Sequence, residues 1–187
     1  MIIVFTGNGK GKTTASLGQA VRSVGRGKNV LMIQFIKGPW KSGEDFIDIK
    51  PKGSPSTGSI SSPQASSGLP AFELVKMGLG FVGIQGDALP REKHREAAEK
   101  ALGYFREELP KRDVIILDEI NVATSIGLLS ENKVLTALRE VPLEKFVILT
   151  GRGAPQSFID LADLVTEMKE IKHPFNDGKF AKIALDF

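Results

Sequence analysis

Residues 6–14 form a segment suited to binding a phosphate group. Their sequence, TGNGKGKTT, follows a short apolar run and precedes residues with helical spacing. Glycines allow backbone N–H groups to turn toward phosphate oxygens, and the N-terminus of a helix adds a partial positive charge. The segment is therefore predicted to be a variant of the Walker A motif, with Thr6 at a position where the strict pattern has glycine.

The side chains of this segment have expected roles in binding a nucleoside triphosphate. Lys12 is predicted to reach the phosphates and to be the main catalytic side chain, and the Thr13 hydroxyl is suited to coordinate Mg²⁺. The alternative interpretation is a glycine-rich turn that binds nothing. The predicted ATP-binding residues of the segment are Gly7, Asn8, Gly9, Lys10, Gly11, Lys12, Thr13 and Thr14.

A second candidate site lies where an apolar run at residues 114–117 meets Asp118 and Glu119. A buried strand that ends in carboxylates resembles a Walker B motif, and Mg²⁺ prefers a few carboxylates together with phosphate and water oxygens. We expect one carboxylate to face the ion and the other a water molecule or a neighbouring side chain. The alternative is an acidic helix N-terminus, where Asp and Glu are favourable on electrostatic grounds alone.

The elements that must position these residues predict an α/β fold. The first strand, the helix after it and the next strand form a βαβ unit, which favours a parallel sheet with a right-handed crossover. We expect one domain over residues 1–187 with a P-loop NTPase-like (RecA-like) fold, in which helices flank a mostly parallel sheet on both faces. Strands are predicted at 1–5, 29–35, 71–77, 113–117, 146–150, 164–168 and 181–185, and helices at 13–24, 92–109, 121–129, 131–141 and 155–162.

The sequence also predicts which residues outside the two motifs are exposed to solvent. Residues 51–70 are dominated by Ser, Pro and Gly, which predicts a flexible insert that acts as a linker rather than a lid. His94 lies in the charged part of the amphipathic helix predicted at 92–109, so we expect it to face solvent. Trp40 and Tyr104 show no pattern that indicates a role beyond packing.

Composition limits the classes of protein that remain. The 187 residues are 41% hydrophobic and 25% charged, which is typical of one globular domain, and the absence of cysteine excludes disulfides and Cys-ligated metal. A net charge of +3 without aromatic residues interleaved among basic ones favours an anionic small molecule over nucleic acid. No apolar run is long enough for a membrane span and no signal peptide is visible, so we expect a cytoplasmic location without membrane attachment.

Four further segments, taken together with TGNGKGKTT, resemble the ATP:corrinoid adenosyltransferases of cobalamin synthesis. They are QFIKG at 34–38, LTGRG at 149–153, IDLADLVTE at 159–167 and KHPF at 172–175. The resemblance covers most of the chain except the insert. It implies Mg²⁺, with Mn²⁺ as an alternative ion, and two substrates: ATP and a reduced corrinoid (cobalamin, cobinamide or cobyrinic acid diamide). It also implies a homodimer and a reductase partner such as a flavoprotein.

The resemblance implies a nucleophilic displacement in which cobalt(I) attacks C5′ of ATP and triphosphate leaves. The nucleotide would lie reversed relative to its orientation in a kinase, with the glycine-rich segment around the leaving group. Arg152 would meet the triphosphate or a corrin amide side chain, whereas His173 is interpreted as a structural residue. The family's corrin-facing Phe-x-Trp pair reads Phe81-Val82-Gly83 here, so Phe81 is the predicted corrinoid-binding residue.

Two other functions share the same nucleotide-binding motifs. An ordinary P-loop phosphotransferase, such as a nucleoside or small-molecule kinase, would transfer the γ-phosphate and release ADP. A non-catalytic module would bind nucleotide as a switch or carry a corrinoid without turnover.

Overall fold

The computed structural model describes residues 1–38, 40–50, 71–84, 86–178, 180 and 182. The predicted insert at 51–70 lies outside the described residues, as does the predicted strand at 181–185 apart from Lys182. The strands are β1 (Ile2–Thr6), β2 (Val30–Gln34), β3 (Phe72–Lys76), β4 (Val114–Asp118), β5 (Phe146–Thr150) and β6 (Leu164–Glu167). The α-helices are α1 (Lys12–Gly25), α2 (Arg91–Glu108), α3 (Ile120–Ser125), α4 (Glu131–Arg139) and α5 (Gln156–Leu161), and short 3₁₀ helices cover Gly43–Phe46 and Pro174–Asp177.

The six strands form one parallel sheet in the order β3-β2-β4-β5-β1-β6. The α/β fold predicted from the sequence is confirmed. Because all strands point the same way, the loops that follow β1, β2, β3, β4 and β5 gather at one edge of the sheet, where open α/β sheets bind ligands. The sheet therefore brings the two predicted motifs together, since they follow β1 and β4.

Helices cover both faces of the sheet, which explains why its central strands β2, β4 and β5 are apolar up to their last residue. On one face, Ala20 and Val24 of α1 pack against side chains of β2, β4 and β5. On the other face, α2 to α5 cover the alternate side chains of the same strands and of β1. The most buried strand residues include Leu31, Met32, Ile33, Ile115, Ile116, Leu117 and Ile148.

Helix α2 has the predicted apolar face, but the prediction for His94 was wrong. The predicted apolar positions Ala98, Ala101, Leu102, Phe105 and Leu109 are all buried. His94 is also buried, at 3% exposure, and its Nε2 lies 3.1 Å from Oδ2 of Asp87. The reason is that the segment before α2 folds back over the imidazole, and this segment is fixed because Asp87 accepts hydrogen bonds from two backbone N–H groups, those of Gly83 and Leu89.

Helix α3 is shorter than the helix predicted at 121–129. It ends at Ser125, because Gly127 adopts a φ of 74° and the chain turns there. The backbone N–H groups of Leu128 and Leu129 then donate to the carbonyl of Ala123. Among the described residues, no helix has both the length and the apolar character that a bilayer crossing requires.

Candidate functional site

The glycine-rich loop (residues 7–11) joins β1 to α1 and packs against the segment that follows β6. The Gly9 N–H donates to the Met168 carbonyl at 2.6 Å, and the Met168 N–H donates to the Thr6 carbonyl at 2.8 Å. A Cβ atom at Gly7 would lie 2.5 Å from the Met168 oxygen, and one at Gly9 would lie 2.7 Å from it. Side chains are therefore excluded at both positions, and the loop is held in a tight curve.

Lys12 is the first residue of α1, and its side chain curls back into the loop. The ammonium group donates to the carbonyls of Gly7 at 2.8 Å and Gly9 at 2.7 Å, and the residue is buried. Burial lowers the pKa of Lys12, while the Glu119 carboxylate acts in the opposite direction and Arg152 lowers that pKa further. The positive charge is thus fixed within the curve of the loop.

Asp118 is fully buried at the end of β4 and holds the Thr13 hydroxyl in place. Its Oδ1 accepts hydrogen bonds from the hydroxyls of Thr13 at 2.8 Å and Thr150 at 2.7 Å. Its Oδ2 accepts from Nε2 of Gln34 at 3.1 Å. Three strands thereby fix one carboxylate against the beginning of α1, so Thr13 has a defined position below the glycine-rich loop.

Gln34 links Asp118 to an ion pair in the loop after β2. The Gln34 Nε2 also donates to Oε1 of Glu44 at 3.1 Å, and Glu44 forms an ion pair with Lys37. Burial alone would raise the pKa of Glu44, but hydrogen bonds and the charge of Lys37 outweigh this effect and lower that pKa to about 2. Glu44 is therefore a carboxylate over the whole physiological pH range.

No pattern in the sequence pointed to a functional role for Gln34, Lys37 or Glu44. Gln34 and Lys37 lie within QFIKG, a segment that resembles the ATP:corrinoid adenosyltransferases but does not by itself indicate a role for any of its side chains. Glu44 lies in a polar stretch without periodicity, so no local pattern could have identified it.

Glu119 differs from Asp118 in both conformation and environment. It adopts a left-handed backbone conformation with a φ of 63°, and its N–H donates to the Thr150 hydroxyl at 3.0 Å. Burial raises the pKa of Glu119 to about 7, and the neighbouring Asp118 charge adds to this effect, whereas nearby cationic groups oppose it. The two adjacent carboxylates are thus held in different roles, one bonded to protein hydroxyls and the other facing a cavity.

The donor set fits a magnesium ion that is also bound by phosphate. Hydroxyl and carboxylate oxygens, as supplied by Thr13, Asp118 and Glu119, are the hard ligands that Mg²⁺ takes in proteins. Within the part of the chain that the structure describes, no three His, Cys, Asp or Glu side chains cluster closely enough to hold a metal ion by themselves. Oxygen atoms of a bound nucleotide would therefore have to complete the coordination.

A cavity of about 500 Å³ opens in front of the glycine-rich loop. The predicted site residues Asn8, Gly9, Lys10, Gly11, Lys12, Thr13, Thr14, Phe81, Glu119 and Arg152 all line it, whereas Gly7 and Asp118 lie outside this lining. Leu17, Lys37, Gly43, Glu44 and His173 line the same cavity. His173, interpreted from the sequence as structural, thus borders the candidate site. Cationic side chains outnumber carboxylates in the lining, which suits a polyanionic ligand.

One exposed aromatic ring, that of Phe81, lines this cavity, and a second, that of Trp40, lies beside the first. Phe81, in the loop after β3, is 44% exposed, and its ring centroid lies 6.0 Å from that of Trp40. No pattern in the sequence indicated a role for Trp40 beyond packing, and its side chain is 62% exposed in the structure. The loops after β2 and β3 meet through their backbones, which brings the two rings side by side.

The chain is similar to known proteins along its whole length. A family model described as ATP:corrinoid adenosyltransferase BtuR/CobO/CobP matches residues 1–187. The corrinoid adenosyltransferases of Escherichia coli and Salmonella typhimurium are each 36% identical to it over 189 residues, which cover 100% of this chain and 85% of theirs. A corrinoid adenosyltransferase of Sinorhizobium is 35% identical over 189 residues, with 100% of this chain and 80% of the relative covered. The chain therefore belongs to the ATP:corrinoid adenosyltransferase family.

Proposed function

We propose that this chain transfers the 5′-adenosyl group of ATP to the cobalt of a reduced corrinoid in cobalamin biosynthesis or salvage. In this reaction cobalt(I) supplies the electron pair that forms the cobalt–C5′ bond, the bond between C5′ and the phosphate oxygen breaks, and triphosphate leaves with the electron pair of the broken bond. The observation that carries the proposal is that one cavity is lined both by a cationic, glycine-rich loop and by the exposed ring of Phe81. One side suits a leaving triphosphate and the other a flat macrocycle.

The loop side of the cavity would hold and stabilise the leaving group. Lys12, the guanidinium of Arg152 and the backbone N–H groups of the glycine-rich loop other than that of Gly9, which donates to Met168, would provide positive charge and donors at one place. Preorganised donors of this kind favour the transition state because negative charge accumulates on the departing oxygen. The remaining requirement is to position C5′ against cobalt, which is a matter of orientation rather than proton transfer.

We propose that Thr13 and Glu119 hold Mg²⁺ together with the triphosphate, and that Asp118 orients Thr13. The Thr13 hydroxyl donates its hydrogen to Asp118, so the oxygen lone pairs remain available to a metal ion. Glu119 lines the cavity. When bound, Mg²⁺ or a substituting Mn²⁺ would neutralise part of the triphosphate charge.

Two further parts of the proposal rest on the family resemblance. The cobalt must be reduced to cobalt(I), which calls for a reductase such as a flavoprotein as a partner, and the chain would form a homodimer. The location proposed from the sequence is the cytoplasm.

Product analysis under anoxic conditions tests the proposal. The protein is incubated with ATP, Mg²⁺ and chemically reduced cobinamide, and nucleotides and corrinoids are then separated. Equal amounts of triphosphate and adenosylated corrinoid support the proposal. ADP that forms without corrinoid would indicate a phosphotransferase, and stoichiometric ATP binding without turnover would indicate a binding module.

A further inference from the structure

We propose that Trp40 is a second corrin-binding residue, which forms with Phe81 an aromatic platform at the rim of the cavity. The inference rests on the proposed function, because it takes a corrinoid as the ligand. It adds a binding residue from a different loop, the one that follows β2.

The exposure of the two rings is the first observation. Trp40 and Phe81 lie 6.0 Å apart between centroids with an angle of 32° between their planes, a spacing typical of interacting aromatic pairs. Such pairs usually bury their surface, yet both of these residues are exposed. Leu79 and Ile84 in the neighbouring loop are exposed as well. A contiguous apolar patch on a protein surface marks a place where another molecule binds.

The backbone below Trp40 is held firmly, which is the second observation. Nζ of Lys76 donates to the Trp40 carbonyl at 2.8 Å and also pairs with Asp45 at 2.5 Å. A Cβ atom at Gly80 would lie 2.9 Å from Cζ3 of Trp40, so the indole rests directly on bare backbone. The ring is therefore presented in one orientation, and a preorganised ring loses little entropy when a ligand stacks on it.

The location of the platform identifies its ligand. Phe81 lines the same cavity as Lys12 and Arg152, so a molecule on the platform would border the triphosphate-binding loop. The loop after β3 offers no second ring near Phe81, since Val82 and Gly83 follow it. Trp40 supplies that ring from the neighbouring strand, because β2 and β3 are adjacent in the sheet. A flat macrocycle with apolar faces is the substrate whose shape matches two such rings.

Binding measurements on three variants test this role. Cob(II)inamide is the probe, because it has no nucleotide base that could act as an axial ligand. Trp40→Ala should weaken its binding about tenfold, the loss expected for one stacked aromatic ring, and leave ATP affinity unchanged. Trp40→Phe should retain most of the affinity. Phe46→Ala is the matched control, because Phe46 is an exposed aromatic residue of the same loop whose ring lies against Lys41 rather than in the Trp40–Phe81 pair, and this variant should bind normally. Unchanged cob(II)inamide affinity in Trp40→Ala, or an equal loss of ATP affinity, would overturn the proposal.

Hydroxyl-radical footprinting of the unmodified protein gives a result that does not depend on variants folding. Trp40 is the single tryptophan of the chain, so its oxidation is readily assigned by mass spectrometry. Saturating cob(II)inamide should protect Trp40 and leave Phe46 unaffected. Equal oxidation of Trp40 with and without the corrinoid would overturn the proposal. Protection that arises from higher protein concentration alone would also overturn it, because a second copy would then cover the rings.

These outcomes are separable from a failure of the proposed function. If the unmodified protein adenosylates cobinamide but Trp40→Ala binds it normally, only the platform is wrong. If the unmodified protein forms no adenosylcobinamide, the proposed function itself is wrong.

Discussion

Replacing Glu119 by glutamine is expected to stabilise the metal-free protein while impairing transfer. The pKa of Glu119 is raised to about 7 because the carboxylate is buried beside the charged Asp118. Above pH 7 the folded chain must therefore hold a carboxylate in an unfavourable place. Glutamine has nearly the same shape and no charge, so it removes this cost together with a proposed ligand of the metal ion.

The size of the effect follows from the pKa difference. The ordinary pKa is 4.5 and the folded value is about 7, and each pKa unit corresponds to about 1.4 kcal/mol. The upper limit is about 3 kcal/mol, and partial solvent exposure of Glu119 reduces the expected gain to about 1–3 kcal/mol. Between the two pKa values the folded state binds more protons than the unfolded state, so wild-type stability falls as pH rises from 4.5 toward 7.

Thermal unfolding with excess EDTA measures this difference. At pH 8 Glu119→Gln should be more stable than wild type, with a melting temperature higher by about 2–4 °C for each kcal/mol. Near pH 4 the difference should vanish, because Glu119 is then protonated in the folded chain and largely so in the unfolded chain. Glu107→Gln, at an exposed position on α2, is the matched control and should change stability by less than about 0.5 kcal/mol. A Glu119→Gln protein that is no more stable than wild type at pH 8 would refute the reasoning.

Three other changes test separate parts of the site. Lys12→Ala should lower turnover about a hundredfold, which is the usual effect of losing one preorganised donor. A folded variant that keeps most of its turnover would show that the glycine-rich loop does not bind the triphosphate. Glu44→Gln should lower the free energy of unfolding at pH 7, because the folded chain lowers the pKa of Glu44 to about 2 and so stabilises its carboxylate. The difference in stability between wild type and variant should shrink as pH falls from 4.5 toward 2. Urea unfolding that gives the same difference at both pH values would contradict this reasoning. Shortening residues 51–70 to a short linker should leave melting temperature and turnover nearly unchanged, and a collapse in corrinoid affinity would make the segment a lid.

The convergence of the motifs could be predicted because buried parallel strands are easy to recognise. The runs at 114–117 and 146–149 are apolar without interruption, as strands covered on both faces must be. Once the strands are parallel, the residues that follow them meet at one edge of the sheet. The glycine-rich loop, Glu119 and Arg152 were therefore expected to lie together, and they line one cavity.

Contacts between distant loops could not be predicted in the same way. Gln34 bridges Asp118 and Glu44 only because β2 lies beside β4 and the next loop folds back. Trp40 meets Phe81 through backbone packing of two loops, and Asp87 buries His94 through a turn outside any regular element. These contacts depend on long-range geometry, and local periodicity carries no information about them.

The most direct measurement follows the fate of C5′ of ATP. ATP labelled with ¹³C at C5′ is incubated with the protein, Mg²⁺ and chemically reduced cobinamide without oxygen, and the products are examined by ¹³C NMR. The label is expected to become bonded to cobalt, with one triphosphate released for each label transferred. Label that remains in ATP, ADP or AMP, with cobalt unalkylated, would contradict the account.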